Sequence, residues 1–162
     1  MTKEIILSRG LVALIDDADY EWAMDGGKWH ASSHATHPYA VRTVWVGKKS
    51  HGEILHRLIL PTDQHVDHIN GNTLDNRRAN LREASPSQNA ANRKMRADSR
   101  NKFKGVQKSV VPHAPWLASL TSGGTYHHLG VFATQEEAAR AYDAAAIEHF
   151  GEFARLNFPG GN

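Results

Sequence analysis

The chain of 162 residues contains no cysteine. Disulfides, thiolate zinc sites and a cysteine nucleophile are thereby excluded. It has no apolar run approaching the about eighteen residues that a membrane helix needs, so no membrane partner is expected. Met1-Thr2-Lys3-Glu4 lacks the charged-then-apolar pattern of a secretory signal, and the expectation is an intracellular, cytoplasmic protein that is not secreted. What the chain does contain is an ordinary apolar share of 40%, with four Trp, four Tyr and five Phe. That composition excludes a disordered chain and suits one ordinary domain or two small ones.

Net charge is only +2, yet it is unevenly distributed. Residues 77–108 hold ten Lys and Arg against two acids, a local excess of eight positive charges. The flanks, 1–76 and 109–162, each carry a net charge of −3. A basic belt between acidic flanks points to a polyanion partner, the alternative being a solvated linker. Eleven histidines add side chains suited to proton transfer near neutral pH.

Residues 1–60 alternate short apolar runs with turn signals and read as a small β-rich scaffold. Residues 5–7 and 11–15 read as strands joined through Ser8-Arg9-Gly10, residues 16–24 as a short helix, and 28–33 with 39–46 as a second strand pair. Residues 54–60 read as a further strand stopped by Pro61. A short strand ends at Val66, followed by Asp67-His68 and a polar loop containing the turn-favouring Asn70-Gly71. Ser85, Pro86 and Gln88 spell an N-cap, a first helical position and a capping box. The helix they open carries Asn89, Asn92 and Arg93 on one face. Residues 96–103 read as a basic linker. Residues 104–108, 116–121 and 126–132 read as three strands, and 134–149 as a helix opened by a Thr134/Glu137 capping box, rich in alanine and closed at Gly151. The expected class is α+β, in two small units.

The constellation that carries chemistry is Asp67-His68, Asn80 and Asn89. Phosphodiester hydrolysis needs a base to activate water and a cation to stabilise charge on phosphorus and on the leaving oxygen. His68 can be the base. Asp67 and Asn89 supply hard oxygen donors, which suit magnesium or manganese, ions that keep several waters and take phosphate oxygens as further ligands. Asn80 can fix the loop or the His68 tautomer. Strand neighbours point to opposite faces, so Asp67 and His68 share a site only if the strand ends there. Taken singly, each of these residues also reads as an ordinary turn or cap residue.

His56-Arg57-Leu58-Ile59-Leu60, Val66-Asp67-His68-Ile69-Asn70-Gly71-Asn72, Asp75-Asn76-Arg77, Asn80-Leu81-Arg82 and Asn89-Ala90-Ala91-Asn92-Arg93 together resemble the HNH endonucleases, most of all the phage homing branch. The resemblance implies a ββα-metal (His-Me finger) nuclease unit. It implies His68 as general base, Asn80 as the residue that positions it, and Asp67 and Asn89 as ligands of Mg²⁺ or Mn²⁺. Asn stands at the second and third signature positions, as in the homing branch, and cysteine zinc knuckles are absent. His56 recurs in that family and reads as a structural histidine. Arg77, Arg78, Arg82 and Arg93 are candidate phosphate contacts.

Lys104-Gly105-Val106, Trp116-Leu117-Ala118, His128-Leu129-Gly130-Val131-Phe132, the helix from Glu136, and Leu156-Asn157-Phe158-Pro159 resemble the plant ethylene-response-factor (APETALA-two type) DNA-binding domain. There a three-stranded antiparallel sheet packed on one helix reads the major groove. Strand alternation puts Ser119, Thr121, Tyr126 and His128 on the expected groove face, with Lys104 and Gln107 joining from the first strand. That family reads DNA mostly with Arg and Trp at these positions, so the substituted polar set implies a weaker or different sequence preference. The expected organisation is an HNH domain with its β scaffold over 1–95 (core 54–95), a linker over 96–103 and the reader over 104–158. The expected function is metal-dependent cleavage of double-stranded DNA to 3′-hydroxyl and 5′-phosphate ends. One such site cuts one strand, and a double-strand break calls for a homodimer or a second event. The alternatives are a non-enzymatic, sequence-preferring DNA-binding regulator with an inert HNH unit, and an RNA-directed nuclease.

Overall fold

The computed structural model describes every residue except 35, 96–98, 100 and 161–162; part of the expected basic linker therefore lies outside the described residues. Among the described residues the chain is mixed α and β, with four antiparallel sheets and four α-helices. It divides into two compact units, Met1–Ala84 and Ser85–Asn162. No helix among the described residues is long and apolar enough to cross a membrane.

In the first unit, β1 (Thr2–Ile6) and β2 (Val12–Asp16) form a hairpin closed by Arg9 and Gly10, both with positive φ. Helix α1 (Asp17–Met24) follows. A three-stranded sheet is built from β3 (His30–Ala31), β4 (Ala40–Val46) and β5 (Lys49–Ile54) in the order β3-β4-β5. Helix α2 (Leu55–Ile59) leads to the hairpin of β6 (His65–His68) and β7 (Leu81–Ala84). The core gathers Ile5, Ala13, Ile15, Trp29, Leu55 and Ile59.

Several elements differ from the sequence expectation, among them two around the HNH motif. Residues 54–60 are not one strand, since β5 ends at Ile54 and α2 begins. In a strand, alternation would put Arg57 on the same face as Leu55 and Ile59. One helical turn instead buries Leu55, His56 and Ile59 and leaves Arg57 exposed. The strand at Val66 also runs on through His68, because β7 pairs with it in the register Asp67↔Arg82 and His68↔Leu81.

In the second unit, α3 (Pro86–Asn92) is opened by the expected Ser85/Gln88 capping box. Strands β8 (Val106–Lys108), β9 (Trp116–Ser122) and β10 (Thr125–Phe132) form a meander backed by α4 (Gln135–Phe150), whose Thr134/Glu137 capping box is also present. Alanine lets helix and sheet approach closely: Ala138 and Ala139 pack on Val106 and Ala118. Helix α3 belongs to this unit, not to the hairpin before it. Its Ala91 shares a core with Leu120, Tyr142 and Phe150, so the division falls at 84/85 instead of at the expected linker.

Candidate functional site

His68 is the last residue of β6 and is buried. Its ring meets that of His56, on α2, edge-on at a centroid separation of 5.1 Å, and Tyr39 lies 6.3 Å away. Burial pushes the His68 pKa down, against the Asn76 hydrogen bond and the charges of Asp67 and Asp75. The imidazole is accordingly neutral at neutral pH, the state a general base needs. His68 Nε2 lies 3.4 Å from Asn76 Oδ1. The Asn76 amide is itself oriented, because its Nδ2 donates to the Leu74 carbonyl at 3.1 Å. With an acceptor oxygen facing it, Nε2 is placed to donate, which favours the tautomer whose lone pair is on Nδ1.

The loop that brings Asn76 to His68 is held at many points. Asn70 and Asn72 accept the amides of Asn72 and Leu74 in successive side-chain turns. Leu14 of β2 takes the loop as an added edge: its N–H donates to the Leu74 carbonyl and its own carbonyl accepts the Asn76 N–H, both at 2.8 Å. Asn80 closes the loop from the far side. Its Oδ1 accepts the Asn70 amide at 3.0 Å, and its Nδ2 donates to the Asp75 carbonyl at 2.7 Å. Of the two roles open to Asn80 in the sequence, these bonds serve the loop, while Asn76, to which the sequence assigns no role, faces the imidazole. Its signal was its place within Asp75-Asn76-Arg77.

Asp67 is buried one residue earlier on β6. The cross-strand Arg82 directs both Nε and an Nη at its Oδ2, each at 2.9 Å. Two of the other arginines expected at phosphates, Arg77 and Arg78, are also engaged by carboxylates. Arg77 forks onto Asp75 at 2.7 Å, and its hydrogen bond holds that carboxyl below the usual range. Arg78 forks onto the buried Asp19, which lies 59 residues away in sequence, at 2.7 and 2.8 Å. Asn89 lies on α3 in the second unit. Among the described residues there is no cluster of three or more His, Asp or Glu that could hold a metal ion. Together with the absence of cysteine, this excludes from the described residues the closed ligand set of a structural zinc site.

In the second unit the register brings Tyr126 opposite Thr121 and His128 opposite Ser119. Gln107, opposite Leu117, shares this face. The opposite face, with Ala118 and Leu120, is buried. A bulge at Leu129 resets alternation so that Val131 falls opposite Leu117, which adds two apolar side chains to the face. Lys104 departs from the expectation. It precedes β8, and its ammonium donates to the carbonyls of Ala91 and Arg93 at the end of α3, so it does not join that face.

Residues 44–91 match the HNH endonuclease family. The HNH segment thus starts within β4, contains Asp67, His68, Asn76 and Asn80, and ends in α3. An uncharacterized HNH endonuclease of Acanthamoeba polyphaga mimivirus is 40% identical over 111 residues, which cover 64% of this chain and 56% of that protein. The remainder of the chain has different relatives. Dehydration-responsive element-binding protein 2A of Arabidopsis thaliana is 42% identical over 64 residues, 38% of this chain and 18% of its own length. An AP2-like ethylene-responsive transcription factor of the same plant is 47% identical over 60 residues, 36% of this chain and 17% of its own. The chain therefore spans about half the length of its viral relative and less than a fifth of these plant ones. It is similar to the HNH endonuclease family over residues 44–91 and to AP2/ERF-type transcription factors over another stretch.

Proposed function

We propose that the chain is a metal-dependent DNA endonuclease of the homing HNH type, a single-strand nicking centre joined to a DNA reader. The observation that carries this reading is the state of His68, a buried, neutral imidazole whose Nε2 is turned to Asn76 so that Nδ1 can accept a proton. Nδ1 of His68 takes the proton from a water attacking phosphorus in line. Asn76, and through the loop Asn80, keep the ring in the required tautomer. Asp67 and Asn89 would hold the Mg²⁺ or Mn²⁺. When bound, that ion supplies Lewis-acid stabilisation of the charge developing on the departing 3′-oxygen. The products are a 3′-hydroxyl and a 5′-phosphate. Gln107, Ser119, Thr121, Tyr126 and His128 offer donors and acceptors to base edges and phosphates of the duplex. A homodimer would serve double-strand cleavage.

The similarity to plant transcription factors also favours a second reading, a DNA-binding regulator whose HNH segment is inert. Supercoiled-plasmid nicking with Mg²⁺ or Mn²⁺ separates the two. The wild-type chain is expected to nick, and His68→Ala to bind DNA unchanged while nicking falls by about two to four orders of magnitude. A wild-type chain that binds duplex and nicks with neither ion would establish the regulator reading.

A further inference from the structure

The arginines around the HNH loop are neutralised by carboxylates, but the second unit contains the opposite arrangement. A cavity of about 220 Å³ there is lined by four cations, Arg93, Lys94, Lys104 and Arg155, and, among the described residues, by no acidic one. Among the described residues no carboxylate pairs with Arg93, Lys94 or Arg155.

Lys104 is built into this place. Its backbone N–H donates to Asn157 Oδ1 at 2.7 Å, and its carbonyl accepts from Asn157 Nδ2 at 3.1 Å. Asn157 is in turn fixed by Asp143, which accepts its N–H and its Nδ2 at 2.8 and 3.0 Å. The Lys104 ammonium reaches the carbonyls of Ala91 and Arg93, neutral acceptors that take up two of its protons. Burial, then the charges of Arg155 and Arg93, push its pKa down to about 8, against the charge of Asp143. The Asp143–Asn157 relay fixes the Lys104 backbone, and the side chain places a half-buried ammonium beside Arg93 and Arg155, an arrangement that an anion in the cavity would complete. The chemistry is that of a phosphate site: guanidinium groups that can grip two oxygens and ammonium groups acting as point charges.

We propose that this cavity binds one phosphate of the DNA backbone, a contact separate from the β9–β10 face and supplied by the segments that follow α3 and α4. The inference rests on the DNA-binding reading above. It adds Lys94 and Arg155 to the contact residues and gives Lys104 a phosphate in place of a base edge.

The test measures binding of the full chain to duplex DNA in EDTA, so that nothing is cut, across a salt series. Lys94→Gln combined with Arg155→Gln spares the anchored Lys104 and the bonds that fix it. The expected result is affinity weakened roughly five- to thirtyfold at low salt, with the slope of log K against log salt reduced by about one to two. At pH 8 the wild-type chain should take up protons as it binds, because an anion raises the Lys104 pKa; calorimetry in two buffers of different ionisation enthalpy reads this. If the wild-type chain binds duplex and the double variant matches it in affinity and salt slope, with an unchanged melting temperature, this inference fails and the DNA-binding reading survives. If the wild-type chain binds no duplex even at low salt, both fall. Inorganic phosphate shifting the Arg155 Nε resonance while duplex leaves it unmoved would overturn the assignment to the DNA backbone.

Discussion

Asn76 does at short range what the His68 imidazole cannot do for itself. A neutral histidine has two tautomers, and only one puts the lone pair on Nδ1. The Asn76 amide, oriented by the Leu74 carbonyl, selects that one. Asn76→Ala removes the selection and leaves the ring buried beside His56 and Tyr39. The expected result is a turnover number about ten- to a hundredfold lower with duplex affinity unchanged, measured by single-turnover nicking at saturating DNA. An unchanged turnover number would show that packing alone sets the tautomer. Arg82 acts on the neighbouring carboxylate in a different sense. Its two N–H groups on Oδ2 give the buried Asp67 a counter-charge within the hairpin itself, so a divalent ion would share that carboxylate with a guanidinium.

At the scale of elements, the second unit depends on one close approach. A Cβ on Gly105 would lie 1.9 Å from Cδ2 of Tyr142, and Gly105 has φ +73°. Gly105→Ala would force β8 away from α4 and strain the backbone as well. The second unit is expected to lose about 3 kcal/mol, read as a lowered thermal transition, with the first unit's transition in place. The elements that were legible in the sequence owe their form to local chemistry. Ser85/Gln88 and Thr134/Glu137 satisfy orphan N–H groups within a single turn, and both helices begin where those residues stand. The elements that were not legible depend on distant partners. The short run Leu55–Ile59 suits strand or helix until the core decides. Leu81-Arg82-Glu83-Ala84 has no strand pattern and becomes β7 by pairing with β6. At the site, the spacing of Asp67, His68 and Asn80 was readable, while Asn76's role follows from a loop stitched onto β2. The arginine partners were hidden by separation: Asp19 and Arg78 are 59 residues apart.

The whole molecule joins two units that gain stability with rising pH in different windows, one acid and one alkaline. In the first, burial, aided by the charges of His68 and Arg57, pushes the His56 pKa down to about 3, against 6.5 for the free side chain. Between those values the unfolded chain binds the extra proton, so stability falls as pH drops below 6.5, by on the order of 2 kcal/mol at pH 5 from this residue alone. In the second unit, Lys104 loses its proton near pH 8 when folded and near 10.5 when unfolded. The unfolded chain again holds more protons between the two values, and stability from this residue rises as pH climbs through that window. Calorimetry at pH 5, 7 and 9 is expected to show the first unit melting earlier in acid and the second later in alkali, with Lys104→Met flattening the alkaline trend. A single transition moving uniformly with pH would contradict this division of labour.

The turn after His68 also decides how the protein ages. Asparagine followed by glycine is the pair most open to loss of the side-chain amide, since a glycine nitrogen meets no Cβ on its way to the side-chain carbonyl. In the folded loop both reactants are occupied: Gly71 N–H donates to the His68 carbonyl at 2.7 Å, and Asn70 Nδ2 donates to Asp75 at 2.9 Å. Deamidation at Asn70 is held back while the loop is closed. Once the loop has opened, the reaction leaves a new carboxylate facing that of Asp75, and the repulsion between them works against the loop closing again around the imidazole.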